Sequence, residues 1–259
     1  MQKMNLLKDT RGYWDETFMK TVSIVIPAYN EEKYISILLE RILQVPIEEI
    51  GFLKQIIVID DGSSDDTAEC VKAFSGVQIL QQANQGKGAA VQLGVKNATG
   101  DYILVQDADL EYDPLDYIPM LRELDRNDQV VIYGSRLLGQ LHTKGWTWPF
   151  PGKHTNQGLG PWVMNHLLSI IYYILFRVWI TDTLTGYKIY PAKLVKGFDV
   201  KSCGFETDHE LTCKLLNAGA DIVEVPISYE PRSRQEGKKI RFRDGLIAFW
   251  TVVKYRFSK

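Results

Sequence analysis

Gly100–Pro114 reads GDYILVQDADLEYDP, and its interpretation decides the fold. Tyr102–Gln106 suits a strand and runs straight into Asp107, Ala108 and Asp109, with Glu111 two residues further on. A buried strand that ends in carboxylates delivers them to the carboxyl edge of a sheet, where open α/β proteins hold ligands. Two Asp flanking one small residue can share a hard, oxygen-seeking cation, and such a cation usually bridges to phosphate oxygens. A plain turn after a strand uses the same residue types, so the surrounding chain has to decide.

Upstream, Val22–Ile26 is a continuous β-branched run, the mark of a strand buried on both faces. It stops at Pro27-Ala28-Tyr29-Asn30, and Asn30 is placed to cap a helix from Glu31 to about Val45. A second strand, Gln55–Ile59, ends in Asp60 and Asp61 and is followed by a helix to Phe74; Val77–Gln81 is a third strand. Gly86-Lys87-Gly88 opens a helix through about Ala98, and its spacing is not that of a Walker loop. Lys87 either touches phosphate or simply starts that helix. Val130–Tyr133 is a fifth strand. Strand–helix alternation with short connections predicts right-handed crossovers and an α/β fold with a mostly parallel sheet. Such a sheet brings Glu31, Asp60, Asp61, Asp107 and Asp109 to one edge. That many acids beside a cation site suits a nucleotide pocket better than helix capping alone.

The whole chain bounds the function. Its 259 residues, 45% hydrophobic and 24% charged, make a soluble globular composition with enough length for a sizeable core. A net charge of −2 gives no global pull toward nucleic acid, so none is expected as partner. Cys70, Cys203 and Cys213 are odd in number and form no CxxC, which suits a reduced intracellular compartment. Met1–Lys20 is polar and charged, an N-terminal extension rather than a signal peptide.

Several ordered motifs then resemble family 2 glycosyltransferases of GT-A fold: IVIPAYNEE (24–32), VIDDGSSDDT (58–67), NQGKGAAVQLGVKNATGDYILVQDADLEYDP (84–114) and YGSR (133–136). The likeness is to the dolichyl-phosphate mannose synthase branch, and TDTLTGYKIY (181–190), GFETDHELTCKL (204–215) and EVPISYEPRSRQEGKKIRFRDG (224–245) extend it. The resemblance implies that Pro27, Tyr29, Glu31, Ile59 and Asp61 hold the donor nucleotide and that Ala108 lines the donor site. It implies Asp107 and Asp109 as ligands of Mg2+ or Mn2+. Arg136 would reach donor or acceptor phosphate, and Arg232 with Lys238 would form a basic pair on phosphates. Glu111 stands where this branch typically has Gln; as a carboxylate it can still ligate the metal, and the change weakens any assignment of GDP-mannose as donor. The implied reaction is inverting transfer of a sugar from a nucleotide-sugar to a polyprenyl monophosphate. An acceptor phosphate is already anionic and needs no strong base; a hydroxyl acceptor would need one, from Asp182 or Glu206. Asp109, Arg136 and Asp182 are therefore the catalytic candidates. Transfer to a polysaccharide, glycolipid or protein glycan, and a non-catalytic subunit on the same fold, are the competing readings.

The second half raises the question of a membrane. Residues 137–161, rich in Gly and Pro with Trp146 and Trp148, read as a long irregular loop. Trp162–Ile180 is nearly all apolar and approaches the ~20 residues of a bilayer span. A span there would put Asp107 and Asp109 on the opposite side from the basic segment 232–243, and Asn165, His166, Ser169 and Arg177 interrupt it. A helix in the core or in the membrane interface fits better. Segment 232–243 carries six cations against one acid, suited to a loop that closes over phosphates. The expected organisation is 1–20 as extension, 21–240 as the catalytic domain and 241–259 as an amphipathic helix at the membrane surface. The chain is then peripheral on the cytoplasmic face of a membrane or served by a separate membrane-anchoring subunit.

Overall fold

The β-branched runs of the first half pair side by side because each buries both of its faces. The computed structural model describes residues 19–126, 130–146, 149–154, 158–232 and 242–258. In chain order the elements are β1 (Lys20–Ala28), α1 (Ile35–Gln44), β2 (Phe52–Asp60), α2 (Thr67–Lys72), β3 (Val77–Gln81), α3 (Lys87–Asn97), β4 (Tyr102–Val105) and α4 (Tyr117–Arg122). There follow β5 (Val130–Ser135), α5 (Arg136–Lys144), α6 (Leu159–Phe176), β6 (Lys188–Pro191), α7 (Ala192–Val195), α8 (Thr207–Asn217), β7 (Asp221–Pro226) and α9 (Phe242–Phe257). The strands form one sheet in the order β3-β2-β1-β4-β6-β5-β7. Neighbours are parallel except at β6, which runs antiparallel to both β4 and β5.

Successive strand residues alternate between two cores. Ile24, Ile26, Val58 and Leu104 face α1 and α4 through Leu38, Leu39, Met120 and Leu121. Val25, Ile57, Ile59, Ile103 and Val105 face the other layer, with Val91 of α3, Leu168 and Tyr172 of α6, and Leu211 and Leu215 of α8. Ala248 and Val252 of α9 belong to the same cluster, so the last helix is packed onto the domain.

Two expectations are corrected. The first helix does not start at Glu31: Asn30 lies in the left-handed region (φ 54°), and α1 begins at Ile35. Asn30 instead ties the loop after β2, its Oδ1 accepting from Ser64 N at 2.9 Å. Residues 137–161 are not one irregular loop. Ser135 Oγ accepts from Leu138 N at 3.1 Å and so caps α5, which runs to Lys144. Gly139 is there for proximity, since a Cβ would sit 1.9 Å from the Ile227 carbonyl oxygen. The end of the TDTLTGYKIY motif forms β6, inserted between two strands that run the opposite way.

Candidate active site

The register of the parallel strands sets the site. Ala28 at the end of β1 lies opposite Asp60, and Val25 lies opposite Val105 at the end of β4. The segments that follow therefore leave the same edge, bringing Glu31, Asp60, Asp61, Asp107 and Asp109 together as the sequence predicts.

Asp107 is held by Lys87, whose Nζ lies 2.6 Å from Asp107 Oδ1. Opposite it is Gly186, where any Cβ would lie 2.5 Å from Asp107 Oδ2. Burial alone would lower the Lys87 ammonium, but the Asp107 and Asp208 carboxylates hold it above its ordinary value. Asp109 Oδ2 meets Arg232 Nη2 at 2.9 Å, and its Oδ1 accepts from Glu111 N at 3.2 Å. Burial, with the Asp107 and Glu111 carboxylates beside it, pushes the Asp109 carboxyl up to about 7. Leu110, between these acids, has a left-handed backbone (φ 59°), a conformation that costs a branched residue about 1–3 kcal/mol and clusters at functional sites.

Arg232 spans the cleft. Its Nη1 lies 3.3 Å from Glu31 Oε2, its guanidinium stands 5.5 Å from the Tyr34 ring, and its buried Nε has no hydrogen-bond partner among the described residues. Glu111, expected as a third metal ligand, has both carboxylate oxygens engaged: they accept from Tyr229 Oη and Arg232 N, each at 2.8 Å. Among the described residues no three His, Cys, Asp or Glu side chains stand together as a metal cage. Two carboxylates at the end of a strand still fit Mg2+ or Mn2+, which are commonly held by one or two carboxylates plus substrate phosphates.

Asp61 acts one step back. Its carboxylate accepts from Gln82 Nε2, Gln85 N and Gly86 N at 2.7–2.9 Å, fixing the loop that leads to Lys87. The glycines around Lys87 are packing residues: a Cβ at Gly86 would lie 2.9 Å from Cys203 O, and one at Gly88 1.9 Å from Thr207 Oγ1. Ile59 and Ala108, expected to meet the donor, bury their side chains in the two cores, which leaves only their backbones for a ligand. Pro27 is half-buried and Tyr29 exposed at the mouth. Lys238 lies outside the described residues.

Arg136 and Asp182 form a second centre. Nε and Nη2 of Arg136 each lie 2.7 Å from an Asp182 oxygen, Arg136 N adds a bond of 2.9 Å, and the guanidinium stacks 4.8 Å from the Tyr229 ring. Both Asp182 oxygens are thus committed, which suits an arginine clamp and not a base awaiting a hydroxyl proton. The sequence did not point to the supports of this clamp. Glu224 of β7 accepts from Thr181 N, Thr181 Oγ1 and Asp182 N, and Asn165 of α6 bonds Thr181 O and Thr183 N. Asn165 did carry a signal, as a polar residue interrupting an apolar helix.

Residues 23–181 match the model of the family described as Glycosyl transferase family 2. The chain belongs to that family. Among similar proteins, a dolichol-phosphate mannosyltransferase of Pyrococcus furiosus is 30% identical, over 84% of this chain and 58% of its own length. An undecaprenyl-phosphate 4-deoxy-4-formamido-L-arabinose transferase of Pectobacterium carotovorum is 39% identical over 40% of this chain and 33% of its own. The chain therefore spans about half or less of these relatives. The crystal structure of glucosyl-3-phosphoglycerate synthase from Mycobacterium tuberculosis, in complex with Mn2+, UDP and phosphoglyceric acid, superposes with a TM-score of 0.66 at 19% identity. It covers 93% of this chain and 80% of that one, a likeness of fold. This family 2 glycosyltransferase domain thus has the GT-A architecture, with its acidic residues on the edge where the sheet's parallel strands end.

Proposed function

We propose that the domain transfers a sugar from a nucleoside-diphosphate sugar to a polyprenyl monophosphate at a membrane surface. The observation that carries the reading is the cleft itself: Asp107 and Asp109 stand at the end of β4 with Lys87 and Arg232 directly on them, and the clamped Arg136 lies beyond. Relatives named for dolichol- and undecaprenyl-phosphate transfer support the acceptor class. Asp107 and Asp109 would hold Mg2+ or Mn2+, which supplies neutralisation of charge on the departing diphosphate. Glu31, Tyr29 and the backbone at Pro27 and Ile59 line the nucleotide end, and Asp61 shapes it through the loop to Lys87. Arg232 offers a donor fork to phosphate. Arg136, fixed by Asp182 and Tyr229, orients an acceptor anion without moving its proton. The engagement of both Asp182 oxygens argues against Asp182 as the base that a hydroxyl acceptor would need.

The membrane half of the reading rests on α6. Only 22% of its 18-residue apolar window is buried. Its inward side carries Asn165 and Ser169 with Leu168 and Tyr172, whereas Val163, Leu167, Ile170 and Ile174 face out. Leu246, Trp250 and Phe257 of the neighbouring α9 are also exposed, and Arg177, Lys254 and Arg256 lie at the same end. Apolar side chains with flanking cations and Trp suit a helix lying in an anionic interface. Because the inner side of α6 is packed into the domain core, we read it as resting on the bilayer, not crossing it.

The test is a donor panel of GDP-mannose, UDP-glucose, UDP-GlcNAc and UDP-galactose against short polyprenyl phosphates with Mg2+ or Mn2+. A solvent-extractable sugar product from one donor supports the reading, and none from any donor sinks it.

A further inference from the structure

Lys87 has no role in the reaction so far, yet it is the residue in contact with Asp107. Its Nζ lies 2.6 Å from Asp107 Oδ1, while Arg232 lies 2.9 Å from Asp109 Oδ2 and 3.3 Å from Glu31 Oε2. Each carboxylate of the pair is thus already matched by an internal cation. Three carboxylates, Glu31, Asp107 and Asp109, share these two cations. A divalent ion entering alone competes with both cations for these carboxylates, and no third acidic or imidazole side chain among the described residues completes its shell. The displaced cations would then be available to a diphosphate.

Both side chains are built to change partners. Lys87 is a compact charge on a flexible stem in the first turn of α3, partly open to the cleft. The Asp208 carboxylate attracts it as well. Arg232 holds a buried Nε with no hydrogen-bond partner among the described residues, so one donor of its fork is spare.

We propose that Lys87 and Arg232 are exchangeable counter-ions. With a metal held by Asp107 and Asp109, Lys87 and Arg232 would pass to the phosphate oxygens of the nucleoside diphosphate, so metal and nucleotide bind as a mutually dependent pair. The inference rests on the functional reading above and adds Lys87 as a positioning residue for the donor. By linkage, the gain that nucleotide confers on metal equals the gain that metal confers on nucleotide.

The experiment titrates Mn2+ into the full chain, following the EPR signal of free Mn2+, with and without UDP and, separately, GDP. In the wild type, Mn2+ alone binds weakly, and one of the two nucleotides tightens it by about tenfold or more. Lys87→Gln and Arg232→Gln each tighten the binding of Mn2+ alone by about fivefold, because the carboxylates have lost a competitor, and each shrinks the nucleotide-dependent gain. Variants that bind Mn2+ alone no better than wild type, or that keep the full gain, overturn the exchange. Lys87→Arg and Arg232→Lys retain the competing charge and guard against misfolding of the Gln variants. They should bind Mn2+ alone as weakly as wild type, and Gln-like tightening in them overturns the exchange too. A wild-type chain that binds neither UDP nor GDP at any Mn2+ level overturns the functional reading itself, a separate outcome.

Discussion

Asp182→Ala separates a structural clamp from a catalytic base. In the folded chain the Arg136 and Asp182 side chains are 15% and 4% exposed, joined by two contacts of 2.7 Å and a third from Arg136 N at 2.9 Å. Removing the carboxylate leaves the guanidinium buried against the Tyr229 ring without a counter-ion. Breaking a buried pair in this way costs about 3–5 kcal/mol, which is large against a typical domain stability of about 5–15 kcal/mol. For a domain of this size the loss corresponds to a fall in Tm of roughly 6–20 °C. Calorimetry or urea unfolding with unchanged slope reads it directly. The double variant Arg136→Ala/Asp182→Ala should be less destabilised than the sum of the single losses by at least about 1 kcal/mol, because each single variant strands the other partner. A single variant that melts with the wild type, or two losses that simply add, would refute the clamp and leave Asp182 available as a base.

Three further outcomes follow from the geometry. Gly139→Val should unfold or lose about 3 kcal/mol or more, since a Cβ would meet the Ile227 carbonyl at 1.9 Å; solubility and Tm check it, and wild-type Tm would contradict the packing. His209 is buried, and burial first, then the neighbouring Lys188 ammonium, push its imidazole down to about 4. The unfolded chain therefore takes up a proton near pH 6.5 that the folded one refuses, so stability is lost as pH falls from about 6.5 to about 4, by about 3 kcal/mol. Urea midpoints across that window should show the loss, and His209→Gln should blunt it. Ile174→Glu and Trp250→Glu, at positions 60% and 67% exposed, should change Tm little while abolishing flotation with anionic vesicles; undiminished flotation would exclude this face from the membrane.

The strands of the first half were legible because burial on both faces leaves unbroken runs such as Val22–Ile26, and few other environments call for such a run. The gathering of Glu31, Asp61, Asp107 and Asp109 followed from parallel topology alone. What each acid does there was less accessible. That Asp61 organises a loop, that Glu111 grips Tyr229 and Arg232, and that Lys87 neutralises Asp107 depend on contacts between residues far apart in the chain. Helix α5 was hidden because Gly139, a close-approach residue, resembles a loop residue in sequence. Asn30 misled in the opposite sense: a good capping side chain adopted a left-handed backbone and bonded across to Ser64. Strand β6 is four residues long and led by Lys188, whose burial among Asp208 and Tyr133 no local pattern announces.

The most direct measurement is the structure of the product formed by wild type, Asp107→Ala and Asp109→Ala from a labelled donor and a polyprenyl monophosphate. Mass spectrometry should find a glycosyl-phosphate ester that requires Mg2+ or Mn2+ with the wild type, and none with either variant. A product joined through a hydroxyl, or the same lipid product from both variants, would contradict the account.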